Sequence, residues 1–294
     1  MKNFLSIVVF HTVLGACLGQ EIELLGMEYA RYPSSKVTTT DSLEASFTEY
    51  EVAALFPAVR EEKFNLLLGG TYRLVAPEGN DRLSEANLFF LGANIIGSYS
   101  LSGNKQLVLV ALPAASTTTD SRGITSDNFL MQGALLFRKK VSESFSYTIG
   151  ALSTSRFGSP IVIPSLGLSH TGEKMKLDIN LPFLIRSIWN YQNPFSYGLK
   201  LSVNGSQYNF DEESFSGDQV DVANFSRIRI GPELQYRVKG PLVFTLYGGI
   251  AANRTYEFEL NDGDKTDFSL DNGSFVSFRL SLKPQPKTIK LFQI

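Results

Sequence analysis

The sequence predicts an all-β protein: a single antiparallel up-and-down transmembrane β-barrel of roughly 12 to 14 strands. Three observations predict it. Apolar and polar residues alternate along most of the chain, and tight connectors alternate with long ones. Beyond residue 20, no apolar run is long enough for a transmembrane helix, and no convincing amphipathic stretch with apolar residues at i, i+3, i+4 and i+7 stands out against the alternation. In FSYGLKLSVNG, Phe195, Tyr197, Leu199, Leu201 and Val203 share one parity, and Ser, Gly, Lys, Ser and Asn the other. A soluble sheet would turn the apolar row to a protein core. An outer-membrane barrel turns it to lipid and lines its interior with the polar row.

Taken in order, strands are expected at 22–33, 43–57, 62–76, 86–100, 105–114, 128–139, 143–152, 160–169, 173–183, 194–204, 206–211, 222–239, 242–260 and 274–283. Alternation carries the clearest of them: Phe64, Leu66, Leu68, Tyr72 and Leu74 in the third, and Met175, Leu177, Ile179 and Leu181 in the ninth. It continues with Ile228, Ile230, Leu234, Tyr236 and Val238, and with Val276, Phe278, Leu280 and Leu282. Long polar connectors (PEGNDRLSEA, AASTTTDSRGITSD, DEESFSGDQVD, NDGDKTDFSLDNG) are separated by tight ones (SLSGN, KKVS, Asn204-Gly205, Lys239-Gly240-Pro241). That rhythm suits short periplasmic turns and long outer loops, with both termini in the periplasm. Pro232 falls inside an expected strand of a sheet without free edges; a bulge at Gly231-Pro232 or a wrong assignment would each account for it.

The first 19 residues read as a signal peptide, with Lys2 ahead of an apolar run from Phe4 to Leu14 and small residues after it, which leaves residues 20–294 as one barrel domain. Leu14-Gly15-Ala16-Cys17 also resembles a lipobox in which Cys17 would be lipidated. Cys17 is the only cysteine, so no disulfide framework is available, and burial and backbone pairing must hold the chain together. A hydrophobic fraction of 43% excludes disorder as the main state. A net charge of −2 without a basic stripe excludes nucleic acid as the natural partner.

The polar rows favour the barrel interior as their environment. One of them reads Arg227, Arg229, Glu233, Gln235, Arg237 and Lys239, and opposite charges on such a row can pair across a narrow lumen with Glu257, Glu259, Arg279 or Asp178. The expected lumen-lining set is Lys200, Arg227, Arg229, Glu233, Gln235, Arg237, Glu257, Glu259 and Arg279, acting electrostatically to set what enters or to seal the lumen. Trp189, Tyr191, Phe195 and Tyr197 cluster at a loop-to-strand junction, as interface aromatics would; a buried aromatic cluster under a loop would use the same residues.

SLGLSHTGEKMKLDINLP, the following FSYGLKLSVNGSQYNF with its Gly205-Ser206-Gln207-Tyr208 element, and the Gly-Gln-Glu near the end of the leader resemble an uncharacterised outer-membrane β-barrel family of Bacteroidota. The resemblance implies location and fold, and no chemistry. PQPKTIKLFQI departs from the terminal aromatic strand with which barrels often end.

Enzymatic signals are weak. Ser169 and His170 come close to a nucleophile elbow, but the second glycine is misplaced and adjacent residues of a strand point to opposite sides. One histidine beyond the leader and no other cysteine exclude the usual transition-metal clusters. Asp262, Asp264, Asp267 and Asp271 depart from the calcium-loop pattern, and no phosphate loop or dinucleotide fingerprint occurs, so no metal, cofactor or catalytic residue is assigned. The expected function is a passive pore, a transporter of small solutes or lipophiles, or a structural envelope component, with outer-membrane lipid and the barrel-assembly machinery as partners. The alternatives are an exported soluble or surface-anchored β-sandwich that binds a partner and, behind it, a barrel-embedded hydrolase.

Overall fold

The structure is a computed structural model that describes residues 23–79, 87–119, 125–210, 214–215, 218–260 and 262–283. The leader with Cys17 and the PQPKTIKLFQI tail lie outside these residues. The strands are β1 (Leu25–Val37), β2 (Thr40–Arg60), β3 (Phe64–Gly79), β4 (Leu88–Leu101), β5 (Lys105–Thr118), β6 (Phe129–Lys140), β7 (Phe145–Thr154) and β8 (Ile161–Thr171). They continue with β9 (Met175–Leu181), β10 (Leu184–Trp189), β11 (Phe195–Asn209), β12 (Ser214–Phe215), β13 (Asp218–Lys239), β14 (Leu242–Leu260), β15 (Lys265–Asp267) and β16 (Gly273–Leu282).

All except β12 and β15 form one closed antiparallel barrel of 14 strands. Neighbours in sequence are neighbours in space, and β1 closes the ring on β16 from Leu25↔Leu282 to Arg31↔Val276. Closure leaves no pair of facing sheets, which corrects the β-sandwich alternative. One rim carries only tight turns: residues 61–63, 102–104, 141–144, 172–174, 190–194 and 240–241. Asn104 and Asn190 hold positive φ there, at 59° and 55°, which asparagine tolerates better than most residues. The opposite rim carries the long connectors, interrupted by two tight ones at residues 38–39 and 182–183.

The strand number agrees with the upper expectation through two opposite errors. Residues 194–204 and 206–211 were expected as separate strands around an Asn204-Gly205 turn, yet β11 runs straight through and pairs with β13 from Phe195↔Tyr236 to Asn209↔Val222. Glycine is needed there for proximity: a Cβ on Gly205 would lie 2.4 Å from both the Arg156 and Phe225 carbonyl oxygens. Conversely, β10 was not anticipated. Its inward row (Leu184, Arg186, Ile188) and outward row (Ile185, Ser187, Trp189) both mix apolar with polar, so alternation is invisible. Pro232 sits inside β13 without a bulge. The β13–β14 ladder lapses between Ile230↔Ile250 and Glu233↔Tyr247 with its register intact.

The outward rows are apolar around the barrel. Leu109 (58% exposed), Met131 (59%), Leu135 (54%), Ile250 (55%) and Phe278 (55%) stand on four different strands, β5, β6, β14 and β16.

Candidate functional site

Fourteen strands make a ring too wide for wall side chains alone to fill. This chain fills it by three devices. Toward the long-connector rim, inward-facing Tyr32, Phe47, Phe90, Tyr208, Phe225, Tyr256, Phe258 and Phe275 pack into one buried aromatic cluster. Phe47 meets Tyr256 edge-on with ring centroids 5.3 Å apart, and Tyr256 meets Phe258 at 4.7 Å. At the same level the ring is pinched. Ser116 Oγ of β5 donates to the Gln207 carbonyl of β11 at 2.5 Å, and Asn209 Nδ2 donates to the Asp127 carbonyl at 2.5 Å. Finally, the β7–β8 connector folds inward, with Ser155 Oγ 3.4 Å from Ser206 Oγ of β11.

Below the aromatic cluster the interior is ionic. Glu28 accepts from Arg229 Nη1 at 2.9 Å with one oxygen and from Arg279 Nη1 at 2.8 Å with the other. Arg279 also reaches Glu23 at 2.6 Å and Glu51 at 3.3 Å, and Glu51 accepts from Arg73 at 2.8 Å. Glu233 accepts from Arg186 Nη2 at 2.5 Å and from Gln235 at 2.9 Å, with Lys200 Nζ at 3.9 Å. Arg227 pairs with Glu49. Aromatic faces stabilise the cations further: Lys200 Nζ lies 4.7 Å from the Tyr247 ring centre, and the Arg227 guanidinium 4.6 Å from that of Phe225. Glu23, Glu28, Glu51, Arg186, Lys200, Arg229, Glu233 and Arg279 line a cavity of about 290 Å³.

Seven of the nine lumen-lining expectations therefore fall on the inward face. Lys200, Arg227, Arg229, Glu233, Gln235 and Arg279 join the ionic lattice, while Arg237 sits near the tight-turn rim and donates to the Gly240 and Lys283 carbonyls at 3.3 Å each. Glu257 and Glu259 need correction, because they face outward at the long-connector rim, where Lys265 Nζ binds them at 3.0 and 3.4 Å. These two carboxylates, Glu257 first, hold the Lys265 pKa above the ordinary lysine value. The cause is a bulge in β14 at Asn253, where φ is +47°. The register shifts between Ser226↔Thr255 and Ile228↔Ala252, so inward parity passes from Tyr247 and Ala251 to Arg254, Tyr256 and Phe258.

Sequence reasoning missed Glu28, Glu49, Glu51, Arg73, Arg156 and Arg186. A signal existed for Glu49 and Glu51, which share one parity of a strand whose other parity carries Tyr50 and Val52. Among the interface aromatics, Trp189 stacks on Tyr197 at 6.0 Å, and Tyr191 donates to the Gly172 carbonyl at 2.9 Å, tying two turns together. Phe195 stands opposite Tyr236, and Tyr236 opposite Phe244, on the outer face near the tight-turn rim. Ser169 faces inward and donates to Asp178 at 2.8 Å, while His170 lies on the opposite face beside Phe145. No group of three or more His, Cys, Asp or Glu with metal-binding geometry occurs among the described residues.

Comparison with known proteins places residues 62–281 in the family described as "Domain of unknown function (DUF6268)", and the chain belongs to that family. No curated protein matches it. Among solved structures it is similar to the COG4313 outer membrane channel from Pseudomonas putida F1, at 8% identity and a TM-score of 0.45, covering 88% of this chain and 93% of that one. It is also similar to a mutant of the porin of Rh. blastica, at 9% identity and a TM-score of 0.32, covering 88% of this chain and 100% of that one. The ferric preacinetobactin receptor BauA from Acinetobacter baumannii matches at 10% identity and a TM-score of 0.28, covering 82% of this chain and 44% of that one.

Proposed function

We propose that the protein is an integral outer-membrane β-barrel that passes small solutes or lipophiles by a gated route, its central lumen being closed at rest. The outward apolar rows support the membrane setting, since so large a continuous belt would be unstable in water. The aromatic residues near the tight-turn rim suit the interface, and the tight turns themselves suit the periplasmic side. The resemblance of the SLGLSHTGEKMKLDINLP region supports a Bacteroidota envelope, reached through the leader and inserted by the barrel-assembly machinery. No reaction is assigned, because Ser169 and His170 point to opposite faces.

The observation that carries the closed state is the aromatic cluster, in which Tyr32, Phe47, Tyr256 and Phe258 are all at most 1% exposed. An open diffusion pore keeps its axis wet, and this axis is packed. Planar-bilayer conductance of the purified protein tests the reading. Wild type is expected to carry no steady current, and the Tyr256→Ala, Phe258→Ala double variant to show discrete openings. A large constant wild-type current would replace this reading with an open porin. Silence from both proteins, each still shifting on a gel after boiling, would favour a sealed structural barrel, a role that the paired interior charges also suit.

A further inference from the structure

The barrel wall is incomplete on one side. The β9–β10 hairpin is short and turns at Pro182-Phe183, so β9 pairs with β8 only from Leu166↔Leu181 downward, and β10 with β11 only from Leu184↔Ser202 downward. Above it, residues 161–165 of β8 have no strand beside them on that edge, and β11 beyond Asn204 leans on β5 instead. Pro164 belongs on such an edge, because it has no N–H to leave unpaired. Along this edge lies an apolar notch of about 490 Å³, open to the outside and lined by Phe157, Ile161, Ile163, Leu166, Leu181 and Pro182.

Behind this notch lies the ionic cavity, separated from it by the Phe157 and Phe183 rings, 5.5 Å apart. The first cation inside is Arg156. Its guanidinium rests over the Phe183 ring at 5.0 Å, and no carboxylate pairs with it among the described residues. The cavity lining holds seven cationic side chains against five carboxylates.

The geometry points to a lateral entry site for an anionic single-chain amphiphile, whose tail lies in the notch between β8 and the β9–β10 hairpin and whose carboxylate meets Arg156. This names the substrate class of the gated route proposed above and rests on that reading for its purpose. The tail replaces membrane hydrocarbon along the notch, and the head group supplies the counter-charge that Arg156 lacks. Passage requires the Phe157 and Phe183 rings to part; the aromatic cluster nearer the long-connector rim stays closed.

The test is equilibrium binding of radiolabelled palmitate to the full-length protein in detergent micelles, with hexadecanol as the neutral counterpart. Because no current is measured, its failure is distinct from that of the conductance experiment. Saturable palmitate binding is expected, weakened about tenfold in Arg156→Ala and little changed in Arg156→Lys, with hexadecanol bound about tenfold more weakly than palmitate. Ile163→Trp, which fills the notch, is expected to remove binding of both. Each variant is checked for its boiling-dependent gel shift, so that loss of folding is seen separately. Equal binding of palmitate and hexadecanol, insensitive to Arg156, would overturn the head-group assignment and leave a notch for a resident lipid chain. Absence of saturable palmitate binding in wild type, or binding unaffected by Ile163→Trp, would overturn the site.

Discussion

Glu28 is the residue on which the interior lattice turns. Its two oxygens accept from Arg229 and Arg279, and Ser277 Oγ adds a third bond at 3.0 Å. Removing the Glu28 charge leaves Arg279 on Glu23 and Glu51 but strips the buried Arg229 of its carboxylate, and breaking a buried ion pair costs about 3 kcal/mol or more. Glu28→Gln is therefore expected to lower clearly the temperature at which the folded gel band converts to the unfolded one. Glu257→Gln should leave that temperature unchanged, since its partner Lys265 is more than half exposed. Equal effects would mean that the inward and outward assignments of these glutamates are wrong. The same pair marks how far single residues can be read from sequence. Arg229 and Glu233 lie on a strand whose alternation is unbroken around them, so their inward facing follows from parity alone. Glu257 lies beyond a bulge, and every parity argument that crosses Asn253 inverts.

At the scale of elements, the bulge in β14 and the β9–β10 hairpin do the most to shape the interior. Without the extra residue at Asn253, Tyr256 and Phe258 would point outward and the aromatic cluster would lose two of its rings. Asparagine holds φ +47° at little cost, whereas a β-branched residue there costs about 1–2 kcal/mol. Asn253→Gly is accordingly expected to match wild type in gel-shift midpoint and Asn253→Val to fall below it; equal midpoints for both would deny the left-handed bulge. The long strands were legible because one row is consistently apolar, as in β16 with Val276, Phe278, Leu280 and Leu282. β10 was not, since a six-residue strand whose rows are both mixed carries no period. Asn204-Gly205 misled for a different reason: the pair favours turns, but here glycine serves the close approach of the Arg156 carbonyl. Pro164 alone does not reveal the missing wall in the sequence, because Pro232 lies inside β13, which has a neighbour on either side.

At the scale of the whole molecule, the barrel inverts the usual soluble arrangement, with charges paired inside and hydrocarbon outside. The inversion is only half complete, because the aromatic cluster gives the interior an apolar layer of its own nearer the long-connector rim. Alternation predicted the polar lower half, but it could not show that Tyr256 and Phe258 face inward, because they lie beyond the bulge at Asn253. Orientation and membrane burial can be read together by single-cysteine labelling, since the sequence has no cysteine after Cys17. Leu109→Cys and Met131→Cys lie on the outward apolar rows and are expected to resist a membrane-impermeant maleimide in outer-membrane fractions, yet to react once the membrane is dissolved and the protein unfolded in denaturant. Asp262→Cys, on the β14–β16 connector, should react in intact cells, and Ser102→Cys, in the β4–β5 turn, only after the outer membrane is opened. Reaction of Leu109→Cys in untreated membranes would mean that this row does not face lipid. Reaction of Ser102→Cys before Asp262→Cys would reverse the barrel, placing the aromatic cluster on the periplasmic side and the ionic cavity toward the exterior.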